Sequence, residues 1–71
     1  MQKICISPPF IKLEQFLKLS GAVSTGGQAK MLIQDGLVCV NGEVCLMRGK
    51  KLFGGEIITL ENRDFEVGTE E

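Results

Sequence analysis

The order of hydrophobic and polar residues first predicts a short strand and a helix. Residues 3–7, KICIS, alternate well enough for a strand, and Pro8-Pro9 ends it. Apolar residues then recur at helical spacing up to Ser20, and this helix is expected to begin somewhere between Phe10 and Leu13. Gly21 is the expected end of the helix.

A second helix is predicted between Thr25 and Gly36. Gln28 follows Thr25 by three positions, which is the pattern of a capping box, where two side chains bond the free amides of a helix start. Gly36 is expected to end this helix. Because only residues 22–24 separate the two helices, they are predicted to form a helical hairpin. Its second helix would bury one apolar face, formed by Ala29, Leu32 and Ile33.

The period of the pattern changes to two after the second helix, which predicts strands. In residues 37–46, LVCVNGEVCL, the pair Asn41-Gly42 lies between two β-type runs and is the strongest short signal for a β-hairpin. Three more segments follow. Residues 47–55 are expected to form a basic, glycine-containing loop, and residues 56–61 a third strand. Residues 62–67 are expected to form a weak edge strand, which is a candidate neighbour of the first strand.

These elements together predict an α+β fold. A two-helix hairpin is expected to pack on a small, bent, mostly antiparallel sheet of about three to five short strands. A chain of 71 residues is expected to form one domain. Its core is predicted at about residues 11–60, and residues 68–71 are expected to be a flexible acidic tail.

The composition argues against an enzyme and against a cofactor or metal site. The chain has no histidine, and no nucleophile has a candidate base nearby, so no catalytic residue is predicted. Cys5, Cys39 and Cys45 are an odd number without C-x-x-C spacing, and are interpreted as small apolar fillers. Because no apolar segment is long enough for a membrane span or a signal peptide, a cytoplasmic location is expected.

The net charge of −1 conceals an uneven distribution of charge. Residues 1–53 carry seven basic and three acidic side chains, a sum of +4, whereas residues 54–71 carry one basic and six acidic side chains, a sum of −5. Charge divided in this way can form a basic face. The net charge therefore argues neither for nor against a nucleic-acid partner.

Two adjacent glycines, Gly26 and Gly27, stand where the second helix is predicted to begin. Each weakens a helix by about 1 kcal/mol relative to alanine, and capping by Thr25 and Gln28 does not explain them. Without side chains, consecutive backbone amides are exposed at the positive end of the helix dipole, which favours an anion such as an RNA phosphate. A flexible hinge is the alternative use of paired glycines.

Basic side chains near these glycines complete the candidate site, although each alone also fits a solvated surface position. Around one helix start they would form a phosphate-binding surface whose affinity falls with added salt. No exposed aromatic residue is evident, so base stacking is not predicted. The candidate RNA-binding residues are Lys12, Lys18, Thr25, Gly26, Gly27, Gln28, Lys30, Arg48, Lys50 and Lys51.

Taken in order, the segments KLEQFL, TGGQAKMLIQDGLVCVNGE, RGKKL and GGEIITL resemble the S4 RNA-binding domain, whose core is the alpha-L motif. The resemblance covers about residues 11–60 and is most specific from Ala29 to Gly42, A-x-x-L-I-x-x-G-x-V-x-V-N-G. Lys12-Leu13-Glu14 is similar to the family's Arg-Leu-Asp, and Gly55-Glu56-Ile57-Ile58 to its Gly-Asp-x-Ile.

The resemblance implies two helices against a bent sheet, and binding of structured RNA through the start of the second helix and nearby basic residues. Most members open that helix with Ser-Arg, whereas this chain has Thr25-Gly26-Gly27, which gives the backbone amides more weight. The string TGGQAK is similar to a branch of small, free-standing members associated with ribosomes.

The leading hypothesis is a non-enzymatic, monomeric RNA-binding protein without a cofactor. Ribosomal RNA or ribosomal particles are the first expectation for its partner, and transfer RNA is an alternative. A protein-interaction module, with the acidic tail on a basic partner, is a second hypothesis. A sulfur-carrier protein of the β-grasp fold is a third, disfavoured by the paired helices and by the missing C-terminal Gly-Gly.

Overall fold

The computed structural model describes residues 1–70, so Glu71 of the expected tail lies outside the described residues. Two helices and seven strands follow one another within this range. Their order is β1 Gln2–Ile6, β2 Ile11–Lys12, α1 Leu13–Leu19, α2 Gly26–Gln34, β3 Val38–Val40, β4 Glu43–Val44, β5 Lys51–Leu52, β6 Ile57–Leu60 and β7 Arg63–Thr69.

Five of the strands form the main sheet, in the order β1-β7-β6-β3-β4. β7 is parallel to β1 and antiparallel to β6, and β3 is antiparallel to both of its neighbours. The two remaining strands, β2 and β5, pair antiparallel in a separate two-stranded sheet. The predicted α+β class and the mostly antiparallel sheet are confirmed.

The core lies between the two helices and the main sheet. Leu13, Phe16 and Leu17 of α1 and Ala29 and Ile33 of α2 are all fully buried. They pack with inward residues of β3, β6 and β7 in one apolar cluster. The ring of Phe16 meets Phe65 of β7 edge to face, with centroids 6.4 Å apart, which ties the first helix to the middle of the sheet.

The helix starts agree with the sequence in most details. α1 begins at Leu13, the late end of the predicted range, because the two preceding residues are extended and pair with β5. At the start of α2, Thr25 Oγ1 accepts a hydrogen bond from Gln28 N at 3.1 Å, as predicted. Gln28 Oε1 accepts from Ser24 N at 3.0 Å, so the reciprocal half of the cap reaches one residue further back than expected.

The predicted hairpin is present between β3 and β4. Asn41 and Gly42 have φ of 52° and 84°, and Val40 lies opposite Glu43. Two consecutive residues with positive φ match the right-handed twist of the flanking strands, which is why this dipeptide is favoured there.

The prediction of a weak edge strand at residues 62–67 is wrong about its place in the sheet, whereas its expected neighbour, the first strand, is confirmed. β7 extends from Arg63 to Thr69 and lies inside the sheet, with β1 on one side and β6 on the other. Phe65 and Val67 are buried, whereas Asp64 and Glu66 beside them are more accessible. That alternation indicates one buried face, but it does not indicate whether a strand has one neighbour or two.

The core also extends beyond residues 11–60 at both ends. Ile6 of β1 and Phe65 and Val67 of β7 belong to the apolar cluster. Gly68 and Thr69, predicted in the tail, are part of β7, and Glu70 N donates to Ile6 O at 3.0 Å. The sheet therefore continues where the sequence predicted a tail.

Two smaller expectations are also corrected. The basic segment at residues 47–55 is not all loop, since it contains β5. Cys5 is exposed rather than a buried filler, because Ile6, its neighbour in β1, faces the core. Cys39 and Cys45 are partly buried, and all three thiols are free.

Candidate nucleic-acid interface

The start of α2 presents two backbone amides that have no partner within residues 1–70. Thr25 uses its hydroxyl for Gln28 N and its carbonyl for Ala29 N, which leaves the amides of Gly26 and Gly27 without an acceptor. These amides lie at the positive end of a nine-residue helix. The geometry is that of an anion site formed by backbone donors.

The space over these two glycines is open. A Cβ added at Gly26 would have no heavy atom within 4 Å, and one at Gly27 would meet only Thr25 Oγ1, at 3.9 Å. Neither residue has positive φ. Packing and backbone conformation within this chain would therefore accept alanine at both positions.

Exposed polar and basic residues precede and follow this helix start along the chain. Gln28 and Lys30 of α2 are exposed, and Lys18 is exposed in the last turn of α1, just before the linker that leads to α2. With Thr25 and the two glycines they form the first group of candidate residues, which we call the α2-start group: Lys18, Thr25, Gly26, Gly27, Gln28 and Lys30.

The basic segment Arg48–Lys51 lies against the start of α1. Leu13 N donates to Lys50 O at 2.8 Å, and Glu14 N donates to Arg48 O at 3.1 Å, so the chain itself fills the amides of that helix start. A guanidinium nitrogen of Arg48 lies 3.9 Å from a carboxylate oxygen of Glu14. α1 therefore offers its neighbouring side chains, and not its amides, to a ligand.

Lys12 and Lys51 stand directly opposite each other in the pairing of β2 with β5. Like charges at opposite positions of a sheet repel. Both lysines are exposed, and neither forms an ion pair with a carboxylate of residues 1–70. An external anion would relieve this repulsion.

The structure thus arranges the ten candidate residues in two groups. The α2-start group lies at one end of the helical hairpin, and Lys12, Arg48, Lys50 and Lys51 form a second group, the α1-start group, beside the beginning of α1. Among the described residues, no hydrogen bond or ion pair joins the two groups. α1, seven residues and about 10 Å long, has the α1-start group beside its first turn and Lys18 of the other group in its last turn.

An exposed aromatic side chain lies next to the α1-start group, contrary to the expectation from the sequence. Phe53 is 56% exposed, and its ring centroid is 5.9 Å from that of Phe10. Lys51 Nζ lies 4.9 Å from the centroid of the Phe10 ring, a cation–π distance. The outward lysines of the two-stranded sheet and the phenylalanines that flank its strands form one surface, which we call the Phe–Lys face: Phe10, Lys12, Lys51 and Phe53.

The sequence contains a signal for this face that single-segment patterns do not reveal. Phe10-Ile11-Lys12 and Lys51-Leu52-Phe53 are mirror images in residue type. Antiparallel pairing brings Ile11 opposite Leu52 on the inner face, where Leu52 is fully buried. The aromatic and basic residues then share the outer face.

Glu56 fixes the turn that follows Phe53. Its two carboxylate oxygens accept hydrogen bonds from Phe53 N at 2.8 Å and Gly54 N at 2.7 Å. Burial alone would raise the pKa of this carboxyl, but backbone amides, those of Phe53 and Gly54 foremost, and the nearby charge of Lys50 hold its pKa below the ordinary value. The turn is therefore closed by an ionised side chain at neutral pH.

The part of the chain that the structure describes, residues 1–70, has neither a metal site nor a membrane-spanning helix. No group of three or more histidine, cysteine, aspartate or glutamate side chains in this range is arranged to hold a metal ion. No helix in the same range is long and apolar enough to cross a membrane.

A helical hairpin on a mixed sheet, with an open second helix start, defines a small α+β protein with a candidate anion-binding surface. More particularly, the chain belongs to the S4 domain family, whose model matches residues 4–68. This membership sets aside the β-grasp sulfur carrier as an alternative.

Two relatives add detail. The probable ribosome maturation protein RlbA of Bacillus subtilis (strain 168) is 40% identical over 58 residues, which are 82% of this chain and 82% of that protein. The solution structure of YbcJ from E. coli, described as revealing an alpha-L motif involved in RNA binding, is similar with a TM-score of 0.66 and 28% identity. That similarity covers 94% of this chain and 84% of YbcJ.

Proposed function

We propose that this protein binds structured RNA, with ribosomal RNA or ribosomal particles as its partner, and that it does so without catalysing a reaction. Membership of the S4 domain family supports the proposal. A relative named for ribosome maturation and a structural neighbour whose motif is described as involved in RNA binding support it further. We expect the protein to act in the cytoplasm as a monomer.

The observation that carries the proposal is the pair of unpaired amides at Gly26 and Gly27. Two glycines at a helix start lower its stability by up to about 1 kcal/mol each relative to alanine. Because alanine would fit at both positions, this loss has no compensation inside the chain. A phosphate that approaches the backbone closely supplies one, through two charge-assisted hydrogen bonds.

The basic side chains extend this contact along an RNA backbone. Lys18 precedes the amides along the chain and Gln28 and Lys30 follow them, and the α1-start group offers four more cations beside the first turn of α1. Phosphate contacts of this kind fix the position of a protein on RNA without reading its sequence. Affinity should then depend on the fold of the RNA and on salt more than on base identity.

Alanine substitution of both glycines tests the helix start directly. G26A/G27A is expected to fold at least as stably as the unsubstituted protein, yet to bind ribosomal RNA about tenfold more weakly, because two methyl groups would hold the phosphate away from the amides. Binding is measured by fluorescence anisotropy with labelled ribosomal RNA fragments, and stability by thermal unfolding.

Gln34→Ala is the matched control, since it adds an alanine to the exposed far end of the same helix. It should leave affinity unchanged. If G26A/G27A bound as tightly as this control, the proposed role of the two amides would be refuted.

Sedimentation with ribosomal particles tests the nature of the partner. The protein should migrate with the particles, and complete ribonuclease digestion should release it. Association that survives digestion would instead favour the protein-interaction module, the alternative function considered from the sequence.

A further inference from the structure

We propose that the Phe–Lys face is a stacking site for an unpaired nucleotide of the bound RNA. The ring of Phe53 would lie against the base, and Lys12 and Lys51 would contact the adjoining phosphates. This inference rests on the proposed RNA-binding function and assigns it a second contact, distinct in chemistry from the amides of α2.

The ring of Phe53 is accessible, whereas Phe10 is already engaged. Phe10 is partly buried, with Phe53 tilted by 56° against it and the ammonium of Lys51 over its face. Phe53 packs on Phe10 from one direction only and keeps more than half of its surface exposed. A flat base can extend this aromatic pair by stacking on the free side of Phe53.

The backbone at Phe53 is fixed before any ligand binds. Its neighbour Leu52 is buried in the core, and its own amide is bonded to Glu56. The turn is held on β7 by two further bonds, Gly55 N to Val67 O at 2.7 Å and Val67 N to Glu56 O at 2.9 Å. Because the backbone is held in this way, stacking of a base on the ring orders only the side chain of Phe53.

The charges beside the ring favour a nucleotide over other occupants. Lys12 and Lys51 repel each other across the two strands and have no carboxylate partner among the described residues. An apolar peptide would have to cover these cations without pairing them, and an acidic peptide would leave the ring unmatched. A nucleotide offers both an aromatic face and a phosphate, so it complements the whole face.

This contact would distinguish unpaired from paired RNA. A base inside a duplex already stacks on its neighbours, whereas a base in a loop or at a bulge is free to stack on an aromatic side chain. Because every base has an aromatic face, we expect little preference among the four bases.

Two RNA probes test the inference, a short fluorescein-labelled oligouridylate and a blunt-ended RNA duplex of the same length. Phe53→Leu should weaken binding of the single strand by about 5- to 150-fold. Its binding of the duplex should change by less than about twofold, because the bases there are not available. Phe53→Trp keeps an aromatic ring and should bind the single strand about as tightly as the unsubstituted protein.

Leu37→Ala is the matched control, since it also shortens a large exposed apolar side chain, but one outside the Phe–Lys face. It should leave both affinities unchanged. Thermal unfolding of each variant verifies that the fold is kept.

Three results would overturn the inference. These are unchanged binding of the single strand by Phe53→Leu, an equal loss on both probes, or tight binding of polyglutamate with the same dependence on Phe53. The first two, with G26A/G27A still weakening duplex binding, would leave the proposed function intact. Failure of the unsubstituted protein to bind either probe or ribosomal RNA would overturn both proposals together.

Discussion

At the scale of single residues, glycines in this chain serve opposite purposes. Gly54 has φ of +129°, and a Cβ there would lie only 2.8 Å from Thr69 Cγ2. The fold itself thus requires glycine at this position, both for its backbone conformation and for its contact with β7. At Gly26 and Gly27 neither the backbone conformation nor the packing requires glycine, which is why we propose that these two residues bind a ligand.

This contrast gives a prediction for stability. Gly54→Ala should lower the free energy of unfolding by about 1–3 kcal/mol, because it combines a strained φ with a close contact to Thr69. Gly27→Ala should leave it unchanged or raise it by up to about 1 kcal/mol. Urea unfolding of the two variants measures the difference, and equal effects would contradict the assignment.

Glu56 predicts how stability depends on pH. Its pKa is lower in the folded protein than the ordinary value of 4.5, because amide hydrogen bonds and Lys50 outweigh burial. Its contribution is therefore complete above about pH 4.5 and is lost as the pH falls through the lower, folded-state pKa. The melting temperature should fall in that acidic window.

Glu56→Gln is the control for this pH dependence. It keeps the size of the side chain but does not titrate, so its melting temperature should be lower at neutral pH and should fall less on acidification. Parallel curves for the two proteins would show that Glu56 is not responsible.

At the scale of secondary-structure elements, the β3–β4 hairpin is tied to β6 by its own turn. Asn41 N donates to Ile57 O at 2.8 Å, and Asn41 Oδ1 accepts from Ile57 N at 2.9 Å. The sequence explained Asn41 by turn geometry alone. The structure gives its side chain a second role, in holding the hairpin against the neighbouring strand.

Asn41→Gly separates these two roles. Glycine keeps the positive φ but loses the amide oxygen, so the free energy of unfolding should fall by about 1 kcal/mol or somewhat more. Asn62→Gly, in the exposed turn between β6 and β7, serves as the control because its side chain forms no hydrogen bond within residues 1–70. A loss no larger than in this control would contradict the second role.

The elements also show what the sequence could predict. α2 and the hairpin were predicted because their signals are local, a capping pair in one and Asn41-Gly42 in the other. β5 was missed because two residues are too few to show a period. The pairing of β7 with β1 was among the expectations, but its central position was missed because the pattern of one strand does not show whether it has one neighbour or two.

The candidate site was predictable to a similar extent. The open helix start was predicted from a local signal, two glycines that directly follow the N-cap residue. Phe53 was not, because its exposure and its neighbours follow from the pairing of β2 with β5. Local sequence thus predicts which backbone amides are free, whereas the pairing of distant strands determines which side chains lie together on the surface.

At the scale of the whole molecule, the separation of charge along the sequence predicts salt-dependent binding. K50E/K51E should weaken binding to every structured RNA tested. It should also reduce the slope of log affinity against log salt concentration by about one to two units. The measurement is anisotropy with one RNA across a series of salt concentrations.

K3E/R63E is the matched control for this experiment. It makes the same change in net charge, at exposed residues outside the ten candidate positions. We expect a much smaller effect on the salt dependence. Equal effects in both double variants would mean that net charge, and not a defined surface, governs the association.

The position of β7 has a consequence for how the protein folds during its synthesis. β1 is synthesised first among the strands, yet the strand it hydrogen-bonds is synthesised after all the others described. While residues 63–69 are still inside the exit tunnel, β1 has no partner and the nascent chain cannot close its main sheet. The main sheet should therefore close only once residues 63–69 have left the tunnel, with β1 exposed to chaperones until then.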